Sequence, residues 1–176
     1  IGKDGVVVAS GARFSYQDVL LTTAVVDIQQ AGSVEAVVSD FEFENHAEPA
    51  CTTAAEVCAW ESSETLKEEE FTRALSLAMF DYMRKSYSRG FVLSLSGGAD
   101  SATVAVLVRM MMELSVQEIG LPQVAQRLEG CFAGDLPETI AEWMNELLWC
   151  VYQSTRNSSE ITRDAAKSVA EAIGPR

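Results

Sequence analysis

Apolar positions change their spacing several times along the chain, and each change predicts an element. Two β-rich runs, Gly5 to Ala9 and Val19 to Ile28, are separated by Ser10-Gly11 and a polar stretch around Ser15 to Asp18, which predicts consecutive strands. From His46 to Ser63 the composition shifts to Ala, Thr, Glu and Cys without a clear period, which suits a linker. Thr65 and Glu68 form a capping-box pattern, and Phe71, Leu75, Ala78 and Tyr82 then recur at helical spacing, so a helix is expected to run to about Ser86 with that face against a sheet. The sheet begins with the short run Phe91 to Leu95, led by Gly90. After a glycine pair, a helix starting at Ser101 is apolar nearly all round and is expected to be buried.

The stretch from Gly120 to Gly134 stays open, with a short helix between Gln123 and Leu128 as one reading. Asp135-Leu136-Pro137-Glu138 combines a cap, an early proline and a capping-box acid, and opens a helix on which Ile140, Met144, Leu147 and Val151 share a face unless Val151-Tyr152 already turns into a strand. A last helix is announced by Ser158 or Ser159, carries Ile161, Ala165, Val169 and Ile173 on one side, and stops at Gly174. Residue one lies inside what reads as structured sequence and Gly174-Pro175 closes the chain directly after a helix, so both ends are expected to be cuts in a longer protein.

Composition narrows the classes. At 176 residues and 48% apolar content the chain can build a core. A formal charge of −13 disfavours nucleic acid as a partner, because phosphate backbones are bound largely through Lys and Arg. The longest apolar run, Ala102 to Leu114, is broken by Arg109 and Glu113 and falls short of the roughly 20 residues a bilayer requires, so no membrane partner is expected. Cys51, Cys58, Cys131 and Cys150 show no Cys-x-x-Cys spacing and no secretory leader is visible, which favours reduced thiols in a cytoplasmic protein over a zinc cluster.

The chemistry sits between the Phe91 strand and the following helix, in Ser96-Gly97-Gly98-Ala99-Asp100-Ser101. Paired glycines remove the Cβ atoms that keep an anion from the main chain, and a helix start offers unpaired N–H groups and the positive end of its dipole. Ser96 and Ser101 add hydroxyl donors, whereas Asp100 repels a phosphate unless a divalent cation lies between them, making Asp100 the candidate magnesium ligand. The motif lacks the Gly-Lys-Ser/Thr ending of a Walker loop and is not a Gly-x-Gly-x-x-Gly dinucleotide loop. A plain glycine turn with an ordinary Asp or Ser cap is the bland alternative.

Ser96-Gly97-Gly98-Ala99-Asp100-Ser101 resembles the SGGxDS signature of the ATP-pyrophosphatase superfamily. The surroundings narrow the resemblance. Asp81 to Ala102 is similar to the entry of the synthetase domain of glutamine-dependent NAD synthetases, especially their eukaryotic-type branch, and Tyr152 to Gly174 to a later segment of the same domain. Asp4 to Ile28 resembles the closing strands of the nitrilase-type amidase domain that supplies ammonia in these enzymes.

This resemblance implies an α/β chain: residues 1–45 as the C-terminal end of a nitrilase-like glutamine amidase domain, 46–64 as linker, and 65–176 as the N-terminal part of a Rossmann-like ATP-pyrophosphatase domain with a parallel sheet flanked by helices. It implies adenylation of nicotinic acid adenine dinucleotide by ATP and Mg2+, then amidation to NAD with ammonia from glutamine. Ser96 is the implied catalytic position, and Ser94, Leu95, Ser96, Gly97, Gly98, Ala99, Asp100, Ser101 and Thr155 are the implied nucleotide-binding ones. The family's Glu-Lys-Cys amidase triad lies upstream, so none of the four cysteines is assigned as that nucleophile, and nicotinate-recognising residues lie downstream of Arg176. The chain alone is therefore expected to be inactive, and the complete enzyme to be a homo-oligomer.

Ser158 and Ser159 are alternatively mere helix caps. Trp60, Trp143 and Trp149 read as packing residues rather than adenine platforms, and His46 as a surface linker residue. Two other readings compete. One is a different amidotransferase-type ATP pyrophosphatase such as a GMP synthetase relative, with a tRNA-thiolating relative disfavoured by charge; the other is a non-catalytic remnant serving only assembly.

Overall fold

A computed structural model of the chain describes residues 7–26, 58–132 and 136–174. They divide into two compact units, one comprising residues 1–13 and 18–64, the other Phe14–Gln17 together with residues 65–176. His46 and Cys51 lie outside the described residues, as does Asp135 with its proposed cap.

In the first unit no strand forms among the described residues 7–13 and 18–26, against expectation. Val7, Val19, Leu21 and Val25 are all exposed. A strand exists only by pairing its backbone with a neighbour, and β-branched composition supplies no neighbour. Ala59–Ser62 forms a short 3-10 turn. There the Arg13 guanidinium lies 5.4 Å from the centre of the Trp60 ring and 3.9 Å from the Glu61 carboxylate, so Trp60 is engaged by a cation.

The second unit is a mixed α/β structure with a two-stranded parallel sheet flanked by helices. Its elements are α1 (Leu66–Ser86), β1 (Phe91–Ser94), α2 (Ala99–Ile119), α3 (Leu121–Leu128), α4 (Ile140–Leu147), β2 (Leu148–Val151) and α5 (Glu160–Ile173). β1 and β2 pair in parallel with Phe91 opposite Leu148 and Ser94 opposite Val151, and the Leu95 N–H donating to the Val151 carbonyl (3.0 Å) extends the ladder. Phe91, Leu93, Leu148 and Cys150 face the core, while Val92, Ser94, Trp149 and Val151 stand exposed.

Helix α2 is the hub and packs against every other helix of the unit. Ala105, Val108, Met111 and Met112 on it are fully buried. It is not buried all round, however: Val104 and Val106 are exposed, and a cavity of about 690 Å³ opens between α1 and the first turns of α2, lined by Phe71, Ala99, Ala102 and Val106 among others. Helix α1 spans the expected residues but turns a different face inward. Phe71, Ala78 and Tyr82 are exposed, while Ser76, Phe80 and Met83 are buried against α2. Thr65 occupies the cap position at φ −99° and ψ 32°, away from the extended geometry of a capping box, and its side chain makes no cap bond.

The stretch from Gly120 contains α3, which starts with Pro122 in its first turn and buries Val124 and Leu128, followed by a 3-10 turn over Glu129–Cys131. α4 begins later than expected. Thr139 is its cap, its hydroxyl accepting from the Glu142 N–H (3.2 Å), and the Glu142 carboxylate reaches back to the Glu138 N–H (2.8 Å). This reciprocal pair outcompetes the proline signal because it satisfies two N–H groups at once. The chain passes from α4 straight into β2, which removes Val151 from the helix face. Trp143 is fully buried, its ring 5.1 Å from that of Phe132 in an edge-on contact. On α5, Ile173 is buried as expected, but Ile161 is 80% exposed.

An unforeseen core residue comes from the polar stretch near the start. Tyr16 is 4% exposed and its ring meets Phe80 edge-on at 5.2 Å. Its N–H donates to Glu118 (3.0 Å), the Ser15 hydroxyl donates to the same carboxylate, and Arg127 donates to the Tyr16 carbonyl. No helix among the described residues is long and apolar enough to cross a membrane.

Candidate functional site

The site grows from the carboxyl ends of two parallel strands. β1 and β2 each run into a loop and then a helix, so the starts of α2 and α5 come from the same end of the sheet. In open α/β sheets this end is where ligands bind. Leu95, 2% exposed, anchors the first loop beneath the surface. Ser94, Ser96, Gly98, Ala99 and Asp100 are exposed, and Gly97 and Ser101 half-buried.

Two serines tie the loop. The Ser96 N–H donates to the Ser101 hydroxyl (3.2 Å), the Ser96 and Ser101 hydroxyls share a hydrogen bond (3.1 Å), the Ser101 hydroxyl donates to the Gly98 carbonyl (3.1 Å), and the Gly98 N–H donates to the Ser96 hydroxyl (3.2 Å). The helix starts at Ala99, two residues earlier than the sequence pattern indicates. Gly98 is its cap residue and, having no side chain, leaves the first N–H groups uncapped by side-chain oxygen. An oxygen-rich anion can take those donors.

The glycines serve different ends. Gly97 has φ +81°, and a Cβ there would lie 2.3 Å from the Thr162 carbonyl oxygen, so backbone conformation and the first turn of α5 both demand glycine. Gly98 has φ −89° and ψ 164°, open to any residue, and a Cβ there would meet only the Ser96 hydroxyl at 3.3 Å. Its bareness leaves the main chain open to an approaching group.

The second segment forms a tight turn followed by a capped helix. The Thr155 N–H donates to the Ser158 hydroxyl (2.8 Å), the two hydroxyls share a hydrogen bond (3.3 Å), and the Asn157 N–H donates to the Thr155 hydroxyl (3.3 Å). Ser159 is the cap of α5, accepting from the Thr162 N–H (3.2 Å). Of the two serines proposed for that role, Ser158 closes the turn and Ser159 caps the helix. The bonds of Thr155 thus lie within its own turn, and the residue of this segment that reaches the glycine loop is Thr162, whose hydroxyl also bonds Tyr152 (3.2 Å).

Comparisons with known proteins agree on one family. The NAD synthase family model matches residues 71–141, which contain the whole loop. The chain is 37% identical over 193 residues to the glutamine-dependent NAD(+) synthetase of Oryza sativa subsp. indica, covering 99% of this chain and 26% of the relative. Against that of Arabidopsis thaliana it is 33% identical over 190 residues, covering 97% and 26%. The crystal structure of a glutamine-dependent NAD(+) synthetase from Cytophaga hutchinsonii superposes with a TM-score of 0.56 and 46% identity over 62% of this chain and 20% of that one.

The chain belongs to the NAD synthase family. It spans about a quarter of the length of the curated relatives it matches (26%). Within this chain, Trp143 is core, Trp60 is bound by Arg13, and Trp149 stands on the exposed sheet face. Burial pushes the Cys131 and Cys150 thiols up, so neither is an activated nucleophile.

Two positions escaped sequence reasoning. Thr162 and Ala165 flank Gly97 from α5, yet a threonine and an alanine inside a helix carry no local signal of such a contact. The only clue was a positional one: a helix following a parallel strand brings its first turn to the same end of the sheet as the loop.

Proposed function

We propose that this chain supplies the ATP-binding part of a glutamine-dependent NAD synthetase, in a Rossmann-like ATP-pyrophosphatase domain formed by residues 65–176. Residues 1–45 would then be the end of a nitrilase-like amidase domain and 46–64 the linker. The observation that carries the reading is the loop itself: a parallel strand, an uncapped helix start and two linked serine hydroxyls converge around Gly98, where no side chain bars the approach. Family membership supports ATP as the anion this cradle takes.

Each residue has a role in this reading. Main-chain N–H groups from Ala99 to Ser101 and the hydroxyls of Ser96 and Ser101 receive the pyrophosphate part of ATP, with Ser94 and Leu95 holding the strand end, Gly98 leaving the approach clear and Ala99 opening the helix. Ser96 stabilises charge building on the leaving pyrophosphate, because its hydroxyl already points among the loop donors. Asp100 is exposed in the first turn of α2, and one carboxylate beside phosphate oxygens is the oxygen-rich, incompletely proteinaceous set that Mg2+ favours. Mg2+ bound there would offset negative charge on the phosphates. Thr155 borders the nucleotide from the second strand end. The reaction is adenylation of the carboxylate of nicotinic acid adenine dinucleotide with release of pyrophosphate, then displacement of AMP by ammonia from glutamine. The chain by itself makes no NAD, since much of such an enzyme lies outside it.

Calorimetric titration with ATP and Mg2+ tests the proposal. The wild-type chain should bind, and Asp100→Asn should weaken binding about tenfold, equal to roughly 1.4 kcal/mol. Equal affinity in both would remove Asp100 as the metal ligand, and absence of binding in both would favour a non-catalytic remnant.

A further inference from the structure

We propose that α5 is a fixed wall behind the phosphate loop, and that Ala165 and Arg109 are positioning residues that set where that wall stands. The inference rests on reading the loop as an ATP site, but its structural core does not need the ligand.

Two contacts hold α5 to α2. At the start of α5, the back of Gly97 lies against the Thr162 carbonyl and the Ala165 methyl, a Cβ on Gly97 standing 3.3 Å from the Ala165 Cβ. At its end, the Arg109 guanidinium donates through Nη1 to the Ile173 carbonyl (3.4 Å) while its Nε is held by Glu113 (2.6 Å). Ile173 closes α5, so its carbonyl is among those the helix cannot satisfy internally, and a cation there also complements the negative end of the dipole.

The spacing makes the two contacts act together. Gly97 lies two positions before α2 begins at Ala99, Arg109 stands ten positions further along that helix, and Thr162 stands eleven positions before Ile173 on α5. At 1.5 Å per residue these helical runs are about 15 and 16 Å long, so the two contacts are spaced alike along the two helices. A slide of α5 by one turn would break one contact or drive Thr162 into the loop. Of α5, Ala166 and Ile173 are buried and Val169 packs partly buried against the core, so the two contacts fix its position along α2 rather than its attachment. Gly97 therefore sits where α5 permits, and the hydroxyl network of Ser96 and Ser101 sits where Gly97 permits.

The test combines amide NMR of the whole chain with titration of ATP and Mg2+. Ala165→Leu should push on Gly97 directly, and Arg109→Gln should release the far end of α5. Both should shift the Ser96, Gly97 and Gly98 amide resonances and weaken ATP binding roughly 10- to 100-fold, the scale expected for misplacement by about 1 Å. Ala165→Ser and Arg109→Lys, which keep the small side chain and the cation, should stay close to wild type in both readouts. A purely structural role would instead lower the melting temperature while leaving the loop resonances in place. If Arg109→Gln folds and those resonances do not move, the proposal is wrong, and this variant decides the matter should Ala165→Leu fail to fold. If the resonances move but wild-type chain takes up no ATP, the positioning stands and the ATP assignment falls.

Discussion

The two adjacent glycines of the loop look interchangeable in sequence, yet one faces protein and the other faces open space. Gly97→Ala meets both a positive φ and an immovable carbonyl oxygen, and the backbone strain alone costs on the order of 1–3 kcal/mol. Gly98→Ala asks only that the Ser96 hydroxyl give way, so its effect on stability should stay within about 0.5 kcal/mol. Thermal melts of both variants, paired with ATP titration, should separate them. Gly97→Ala loses stability, while Gly98→Ala keeps it and loses affinity because its methyl group occupies the anion's approach. A stable Gly97→Ala would show that α5 does not press on the loop. The sequence made the anion-binding logic of this loop readable because strand, glycines and helix start are contiguous. It hid the reason for Gly97, which is a carbonyl 65 positions away.

Tyr16 is a second residue whose meaning is tertiary. A lone aromatic in a polar stretch gives no periodic signal, but here it closes the core over Phe80. Its hydroxyl is buried without a partner, and burial first, with the Glu118 charge second, pushes the phenol well above its usual range. The neutral form is therefore favoured in the fold. Its contribution is fully present below the unfolded phenol value near 10 and is lost as pH rises toward the folded one. Tyr16→Phe should leave stability at pH 7 unchanged or slightly higher, since no hydrogen bond is lost, and should flatten the fall between pH 9 and pH 11 of roughly 1.4 kcal/mol per unit above the unfolded value. Urea midpoints across that range would check it, and an equally steep fall in the variant would assign the alkaline loss elsewhere.

At the scale of elements, helices were legible and their inward faces were not. The α1 span followed from its periodicity, but weighting Phe71 and Tyr82 as core picked the wrong side, because a large ring at a helix surface gives the same period as one beneath it. The start of α4 was misread for a similar reason: Pro137 marks where a helix can begin, whereas Thr139 and Glu142 decide where it does. Strands fared worst. The Phe91 run became β1 because β2 arrives beside it, while the Val19 to Val26 run, richer in β-branched residues, found no partner among the described residues. Capping is where element-scale energetics can be measured. α5 buries little, so Ser159→Ala should cost about 1 kcal/mol through its lost bond to the Thr162 N–H. Amide exchange in the first turn of α5 should rise in that variant. Since Thr162 is also the contact of Gly97, the loop amides should respond as well, and an unchanged urea midpoint would mean the cap contributes nothing.

At the scale of the whole second unit, its described residues cover the sheet on one face and leave the other open. Val92 is 80% exposed, and Val151 and Trp149 beside it are 43% and 48% exposed. Parallel sheets occur almost always with both faces covered, so a two-stranded parallel pair with a bare apolar face is half of a layered arrangement. Nothing in the alternation of β1 could reveal this, because a strand buried on both sides and one buried on a single side differ only in what else the protein provides. The open face should make the chain bind a hydrophobic dye in its native state. Val92→Thr keeps the branched shape that strands prefer while replacing a methyl with a hydroxyl, and at an exposed site it should change stability by less than about 0.5 kcal/mol. Native-state dye fluorescence should drop in this variant with the melting temperature unchanged, and further with a second substitution at Val151. Undiminished fluorescence in the double variant would move the apolar surface to the cavity between α1 and α2, where Phe71 and Val106 are the next residues to change.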